Sequence, residues 1–226
     1  MSFDCGGVLL QPDASVFVDV CRGIGIAPVD EALVERAFAE TVARVLCDNE
    51  PATYWSSGRA ARSLGVALNI GGEAGTRAWS AVQSLAESGR SLWVSLDRSV
   101  PVVLEALKAK GYRLAVLSNN SGLLRKQLQG AGIDAYFSAV LDSQEIGVGK
   151  PAPRAFECVA ESLVVRIDQC LHVGDDPYFD VAAATSAGML AALYDRHGLV
   201  EPQREGLVFT DLGELAMELG SVVTTP

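Results

Sequence analysis

The stretch Leu171-His172-Val173-Gly174-Asp175-Asp176-Pro177-Tyr178-Phe179-Asp180 sets a short apolar run directly before three carboxylates. A run this short, bounded by a glycine, reads as a buried strand rather than a helix, with His172 a structural member of it. Asp175 and Asp176 stand side by side at the strand's end, and Asp180 follows four residues after the pair. Carboxylates crowded at a buried strand end repel one another and are costly without a compensating cation. A donor set made only of oxygens points to Mg2+ rather than zinc.

The same punctuation continues on either side. Apolar runs at Leu114 to Leu117, Ala139 to Leu141, Cys170 to Val173, Leu190 to Tyr194 and Leu207 to Phe209 are each too short for a helix and predict strands. Between them, residues 100–110, 122–130, 153–163 and 181–187 predict helices, with Gly111 and Gly132 as helix stops. Such alternation implies an α/β fold, a Rossmann-like, largely parallel sheet with helices on both faces. Ligands in that architecture sit beyond the carboxyl ends of the strands.

Residues 13–95 have a different texture and read as helices without strands. The clearest runs from Asp30 to Cys47, where Leu33, Phe38, Val42, Val45 and Leu46 recur at helical spacing behind an acidic start. The expected layout is therefore an α/β core from residues 1–12 and 96–226, with an all-helical insert at 13–95 standing above the strand ends as a lid.

Three more segments place polar groups where strands end. Phe3-Asp4-Cys5-Gly6-Gly7 puts a carboxylate after an apolar residue and before two glycines. Ala115-Val116-Leu117-Ser118-Asn119-Asn120 ends a strand in a hydroxyl and two amides, donors suited to a phosphate oxygen, with helix capping as the plainer role. Gly147-Val148-Gly149-Lys150-Pro151-Ala152-Pro153 holds one of only four lysines between glycines and prolines, where a rigid ammonium can neutralise phosphoryl charge.

In order, context and spacing, Asp4, Ser118, Lys150 and the Asp175, Asp176 pair resemble the four motifs of the haloacid dehalogenase superfamily. Residues 147–189 look especially like its phosphatase-type members, through Gly-Lys-Pro-x-Pro-x-x-Phe, Val-Gly-Asp-Asp and Ala-Gly-Met. The helical insert then resembles the small cap that takes part in choosing substrates. The resemblance implies a Mg2+-dependent hydrolase acting on a small phosphorylated metabolite. Asp4 would be the nucleophile and form an aspartyl phosphate. Mg2+ would be held by Asp4, the Gly6 carbonyl, Asp175 and Asp176, while Ser118, Asn119 and Lys150 would hold the phosphoryl oxygens. Asp180 would orient the metal's surroundings or the loop.

One position departs from the family pattern. Where the first motif usually carries a second aspartate, the general acid/base, this chain has Gly6, and the usual Thr two further on is Val8. Loss of a general acid/base typically costs on the order of 10²–10⁴ in rate. A substrate with a good leaving group, a carboxylate recruited from Asp13, Asp48 or Glu50, or a non-catalytic phosphometabolite binder would each fit. A hydrolytic dehalogenase of the same fold would also use Asp4, but would leave the paired acids without a purpose. A Schiff-base mechanism from the cap is excluded because the first lysine is Lys108. No cysteine has an arginine six positions on, the Gly149-Lys150 context lacks the rest of a nucleotide-binding loop, and no Gly-x-Ser-x-Gly elbow occurs.

Composition agrees with a small-molecule role. The 226 residues are 49% hydrophobic and carry a net charge of −10, which disfavours nucleic-acid and anionic-membrane partners. Five scattered cysteines suggest neither a disulfide framework nor a zinc site. With no apolar run of membrane-spanning length and no leader-like start, a cytoplasmic protein is expected.

Overall fold

The computed structural model describes residues 1–26, 28–200 and 207–221. Residues 201–206 and 222–226, within the stretch assigned to the core, lie outside the described residues. Six strands form one parallel sheet in the order β5-β4-β1-β6-β7-β8. They are β1 (Ser2–Phe3), β4 (Ala115–Ser118), β5 (Ala139–Asp142), β6 (Leu171–Gly174), β7 (Leu190–Tyr194) and β8 (Leu207–Phe209). Strand β1 is central: Ser2 pairs with Ala115 and His172, and Phe3 with Val116 and Val173.

The central strands β1, β4 and β6 are buried along their whole length, so the sheet's side chains divide between two apolar layers. Phe3, Val116, Val173 and Ala192 pack against α5 (Ser99–Ala109), α6 (Leu124–Gly130) and α10 (Leu212–Ser221) through residues such as Leu104, Leu128 and Leu215. Ala115, Leu117 and Leu141 face α8 (Pro153–Leu163), which begins on a proline and presents Ala155, Phe156 and Val159 to the sheet. The expected Rossmann-like sheet covered by helices is the observed one.

Between β1 and β4 the chain forms α1 (Ala14–Gly23), α2 (Glu31–Ala43), α3 (Arg59–Ala67) and α4 (Gly72–Ser84). These enclose a separate apolar cluster around Phe17, Val34, Phe38, Leu64 and Ala78. Asp13 caps α1 by accepting from the Val16 N–H at 3.1 Å, and Asp30 caps α2 from Ala32 at 3.0 Å. Helices α3 and α4 touch backbone to backbone: a Cβ on Gly65 would lie 2.2 Å from the Gly71 carbonyl oxygen, and one on Gly75 2.4 Å from that of Ala61. This close approach seats Trp79, one turn beyond Gly75.

Two features differ from the sequence expectation. Strands β2 (Leu10–Pro12) and β3 (Trp93–Leu96) pair antiparallel at the two ends of the helical segment, so its exit is a strand rather than loop. Gln11 and Pro12 oppose a solvent-touched Ser95 and Trp93, a pairing with little apolar periodicity to announce it. The chain after β6 winds through a wide π-helical turn, Pro177–Ala182, before the one-turn α9 (Ala183–Ser186), instead of starting its helix at Val181. Arg196, just past β7, ties the layers together by pairing with Glu35 of α2 at 2.8 Å and Asp97 at 2.7 Å. No described helix is long and apolar enough to cross a membrane.

Candidate active site

Adjacent parallel strands end side by side, and three of them deliver the site. Asp4 follows β1, with its N–H donating to the Val173 carbonyl at 2.8 Å. Ser118 ends β4, and Asp175 follows β6. Lys150 comes from the loop before α8 and is 5% exposed. Its place is set by Asn119, whose amide oxygen accepts the Lys150 N–H at 2.8 Å and whose amide nitrogen donates to the Lys150 carbonyl at 2.7 Å. Gly149 is required for that clamp, because a Cβ there would lie 2.6 Å from the Asn119 amide oxygen.

The Lys150 ammonium stands between two carboxylates, 2.8 Å from Asp4 Oδ1 and in contact with Asp180 Oδ1. A buried chain continues behind it: Asp180 Oδ1 meets His172 Nε2 at 3.0 Å, and His172 Nδ1 meets the Ser2 hydroxyl at 2.9 Å. The other Asp180 oxygen accepts the Asp176 N–H at 3.0 Å. A Cβ on Gly174 would lie 2.1 Å from Asp180 Cγ, so that glycine is what admits the carboxylate beneath the strand end.

The electrostatics follow from burial and crowding. Burial and the repulsion of Asp4, Asp180 and Asp176 push the Asp175 carboxyl well above the usual range. Asp4 is raised by burial, with Lys150 opposing and Asp180 adding to the rise. Burial and Asp180 raise Asp176 to about 6, against the pull of the Phe179 and Tyr178 N–H groups. Asp180 itself is also buried, yet Lys150 and His172 hold it below the usual range. Burial opposes the charge on Lys150, but Asp180 and Asp4 outweigh it and hold the ammonium above its ordinary value.

Oxygens of Asp4, Asp175 and Asp180 lie within 4.8 Å of one another. Their lone pairs are not equally available. Asp180 is committed to Lys150, His172 and the Asp176 N–H, whereas Asp4 Oδ1 meets the Lys150 ammonium and Asp175 accepts no hydrogen bond among the described residues. Carboxylates crowded in this way at the cavity floor suit a hard divalent cation. Asp176, expected beside the metal, has its Oδ1 capping the π-helical turn, accepting from Tyr178 at 2.8 Å and Phe179 at 2.9 Å, and its other oxygen accepts from Trp55 Nε1 at 3.4 Å. Of the expected phosphate-binding groups, the Asn119 amide bonds the Lys150 backbone, and Ser118, Asn119 and Lys150 all line the cavity.

A cavity of about 460 Å³ opens over these groups, lined below by Asp4, Ser118, Lys150 and Asp175 and above by Trp55, Trp79 and Trp93. The Trp93 ring lies against Gly6, where a Cβ would come within 3.2 Å of it. Gly7, at φ +77°, leaves room for Asp175, whose Oδ2 would be 2.0 Å from a Cβ there. None of the three substitute acids lines this cavity: Asp13 caps α1, and Asp48 and Glu50 pair with Arg59. The tryptophans were not singled out in the sequence, because they sit at unrelated spacings in the helical segment. Their scarcity, three in the chain and all between 55 and 93, was the available signal.

The profile of haloacid dehalogenase-like hydrolases matches residues 2–188. A phosphatase of Mycobacterium tuberculosis, MT3486, is 42% identical over 114 residues, half of each chain. A phosphoserine phosphatase of Thermus thermophilus is 40% identical over 94 residues, 41% of this chain and 38% of that one. This chain therefore matches about half or less of the length of these relatives. The magnesium-bound HAD-hydrolase YfnB of Bacillus subtilis superposes over 96% of both chains with a TM-score of 0.67 at 16% identity, a likeness of fold.

Proposed function

The chain belongs to the haloacid dehalogenase-like hydrolase family, and from that premise we propose that it is a Mg2+-dependent phosphomonoester hydrolase working through an aspartyl phosphate on Asp4. The observation that carries this reading is the Asp4 carboxylate on the cavity floor beside Asp175, ion-paired through Oδ1 with the Lys150 ammonium at 2.8 Å. The substrate is a small phosphorylated metabolite, and the helical segment serves as a cap over the strand ends. Five free cysteines suit a reducing cytoplasm.

Asp4 attacks phosphorus, and the leaving oxygen departs on the side away from the carboxylate. Lys150 offsets the charge that opposes one anion attacking another, and the Ser118 hydroxyl donates to a phosphoryl oxygen. Water then attacks the aspartyl phosphate and releases inorganic phosphate, restoring Asp4. Asp4, Asp175 and the Gly6 carbonyl would hold Mg2+, which when bound supplies further neutralisation of phosphoryl charge. Asp180 keeps the lysine in place, with His172 and Ser2 behind it. Replacing Asp175 with Asn is expected to weaken Mg2+ binding by at least about tenfold, and by more than Asp176→Asn does. Calorimetric titration of both variants checks this, and equal losses would return Asp176 to the metal set.

Proton linkage supplies a second test. Asp175 and Asp176 are raised in the folded protein, so the fold holds protons that unfolded carboxylates near 4 release. The metal-free protein therefore loses stability as pH rises from about 4 through 6 and above, while Asp180, held low, stays charged throughout. Mg2+ should raise the melting temperature most at pH 8 and least at pH 5, where protons compete for the same oxygens. A rise of equal size at both pH values is incompatible with this metal site.

A second reading, a phosphometabolite binder without turnover, is favoured by one observation: Trp93 lies against Gly6, at the usual place of the general acid/base. A dehalogenase is disfavoured because a metal-free route leaves Asp4, Asp175 and Asp180 sharing a single lysine.

A further inference from the structure

All three tryptophans of the chain line the cavity above Asp4. They come from three places in the inserted segment: Trp55 from the loop before α3, Trp79 from α4 and Trp93 from the first position of β3. Their rings connect through Phe38, with centroids 5.4 Å apart for Trp55 and Trp79, 6.1 Å for Trp79 and Phe38, and 5.3 Å for Phe38 and Trp93. Each indole is only half-buried, so apolar ring surface remains open to the cavity. Among the described residues lining it, Lys150 is the only cation, and it already stands between Asp4 and Asp180. The other polar lining groups away from the acids, such as Gln83, Asn120 and Gln127, are neutral.

We infer that this cavity recognises an aromatic phosphomonoester: a flat ring system carrying one phosphoryl group and no second anion. The inference deepens the phosphatase reading and rests on it for turnover. Three independent features converge on it. The volume of about 460 Å³ is in the range that houses a drug-sized ligand, well beyond a two-carbon phosphate. The walls offer ring faces for stacking. A carboxylate on the substrate would find no second ammonium or guanidinium among the described lining residues and would face Asp175 and Asp176 instead.

The chemistry at Gly6 points the same way. An alkyl alkoxide needs a proton as it leaves, and the position that would supply one has no side chain and Trp93 against it. A phenol has a pKa of about 10, several units below an alcohol, so a phenolate can depart without a donor. In the first step the Asp4 oxygen bonds to phosphorus, the phosphorus to aryl-oxygen bond breaks with its electron pair on the phenolate, and the phenolate takes its proton from solvent. In the second, water cleaves the aspartyl phosphate and inorganic phosphate leaves.

The test uses the full chain with Mg2+ and three non-hydrolysable probes, 1-naphthylmethylphosphonate, methylphosphonate and 2-carboxyethylphosphonate, with dissociation constants measured by calorimetry. The naphthyl probe is expected to bind at least about tenfold more tightly than either of the others. Trp79→Ala should cost the naphthyl probe at least about tenfold more affinity than it costs methylphosphonate, and Trp79→Phe should recover most of that difference. Circular dichroism of each variant guards against misfolding. Equal affinity for all three probes, preference for the carboxylated one, or equal losses on Trp79→Ala would overturn the inference. Parallel assays of 1-naphthyl phosphate and phosphoglycolate separate it from the phosphatase reading. Tight naphthyl binding without Mg2+-dependent turnover of either ester sinks the enzyme and leaves the ligand class standing, whereas turnover of phosphoglycolate at equal or higher kcat/KM sinks the ligand class and leaves the enzyme standing.

Discussion

Asp4→Asn is expected to lower Mg2+-dependent hydrolysis of p-nitrophenyl phosphate by at least about 10⁴-fold, because the amide nitrogen and oxygen are poor nucleophiles. Asp175 and Asp180 are close, but Asp175 would be occupied with Mg2+ and Asp180 has both oxygens engaged. The variant keeps the shape of the side chain and removes one charge from a crowded cluster. Since the Asp4 carboxyl is raised, its charge is unfavourable to the metal-free fold at neutral pH. Metal-free Asp4→Asn should therefore melt at or above the wild-type temperature, a trade of activity against stability that unfolding cannot mimic. Activity equal to wild type would end the covalent mechanism. Equal background rates in both proteins, with a phosphonate still bound, would establish the binder reading instead.

Much of this architecture is visible in the chain because strand ends are punctuated chemically. Each of the strands at 115–118, 139–142, 171–174, 190–194 and 207–209 is an apolar run stopped by a polar residue or glycine, so burial and termination speak together. Asp4, Ser118 and Asp175 could be placed because parallel strands end in register. The division of labour among the acids was less legible. Asp176 and Asp180 both follow closely on the end of β6 at Gly174, and only the folded structure distinguishes the one that caps a π-helical turn from the one that reaches under Gly174 to Lys150. Asn119 shows the same limit: an amide after a strand suits a phosphate, but two short hydrogen bonds to the Lys150 backbone engage it first.

The tryptophan wall was hidden for a different reason. Trp55, Trp79 and Trp93 are brought together by long-range packing, including the close contact of α3 and α4 at Gly65 and Gly75. Nothing local marks those two glycines as contact points. Gly6 gains meaning only beside Trp93. The missing carboxyl and the ring against it form one arrangement, since a Cβ at Gly6 would lie 3.2 Å from an indole that also packs against Phe38.

Lys150→Met is expected to cost about 3–5 kcal/mol of stability at pH 8, the usual cost of removing one partner from a buried charge pair. Met is similarly long and unbranched, so the change removes an ammonium with little loss of packing. At 5% exposure the site offers water little access to replace it. Asp180 would keep only His172 and the Asp176 N–H, and Asp4 would lose the charge that opposes its rise. For a chain of this size the loss corresponds to a melting temperature lower by on the order of 10 °C. The decisive feature is its pH dependence. Without the ammonium, the folded carboxyls of Asp4 and Asp180 titrate higher than in the wild type, so the fold takes up protons that the unfolded chain does not hold. The difference between variant and wild type should therefore shrink as pH falls from 8 to 5, read from paired melting curves without metal. A gap constant across that range would mean that the loss is not tied to the ionisation of these carboxyls, and the charge network linking Asp4, Lys150 and Asp180 would lose its energetic basis.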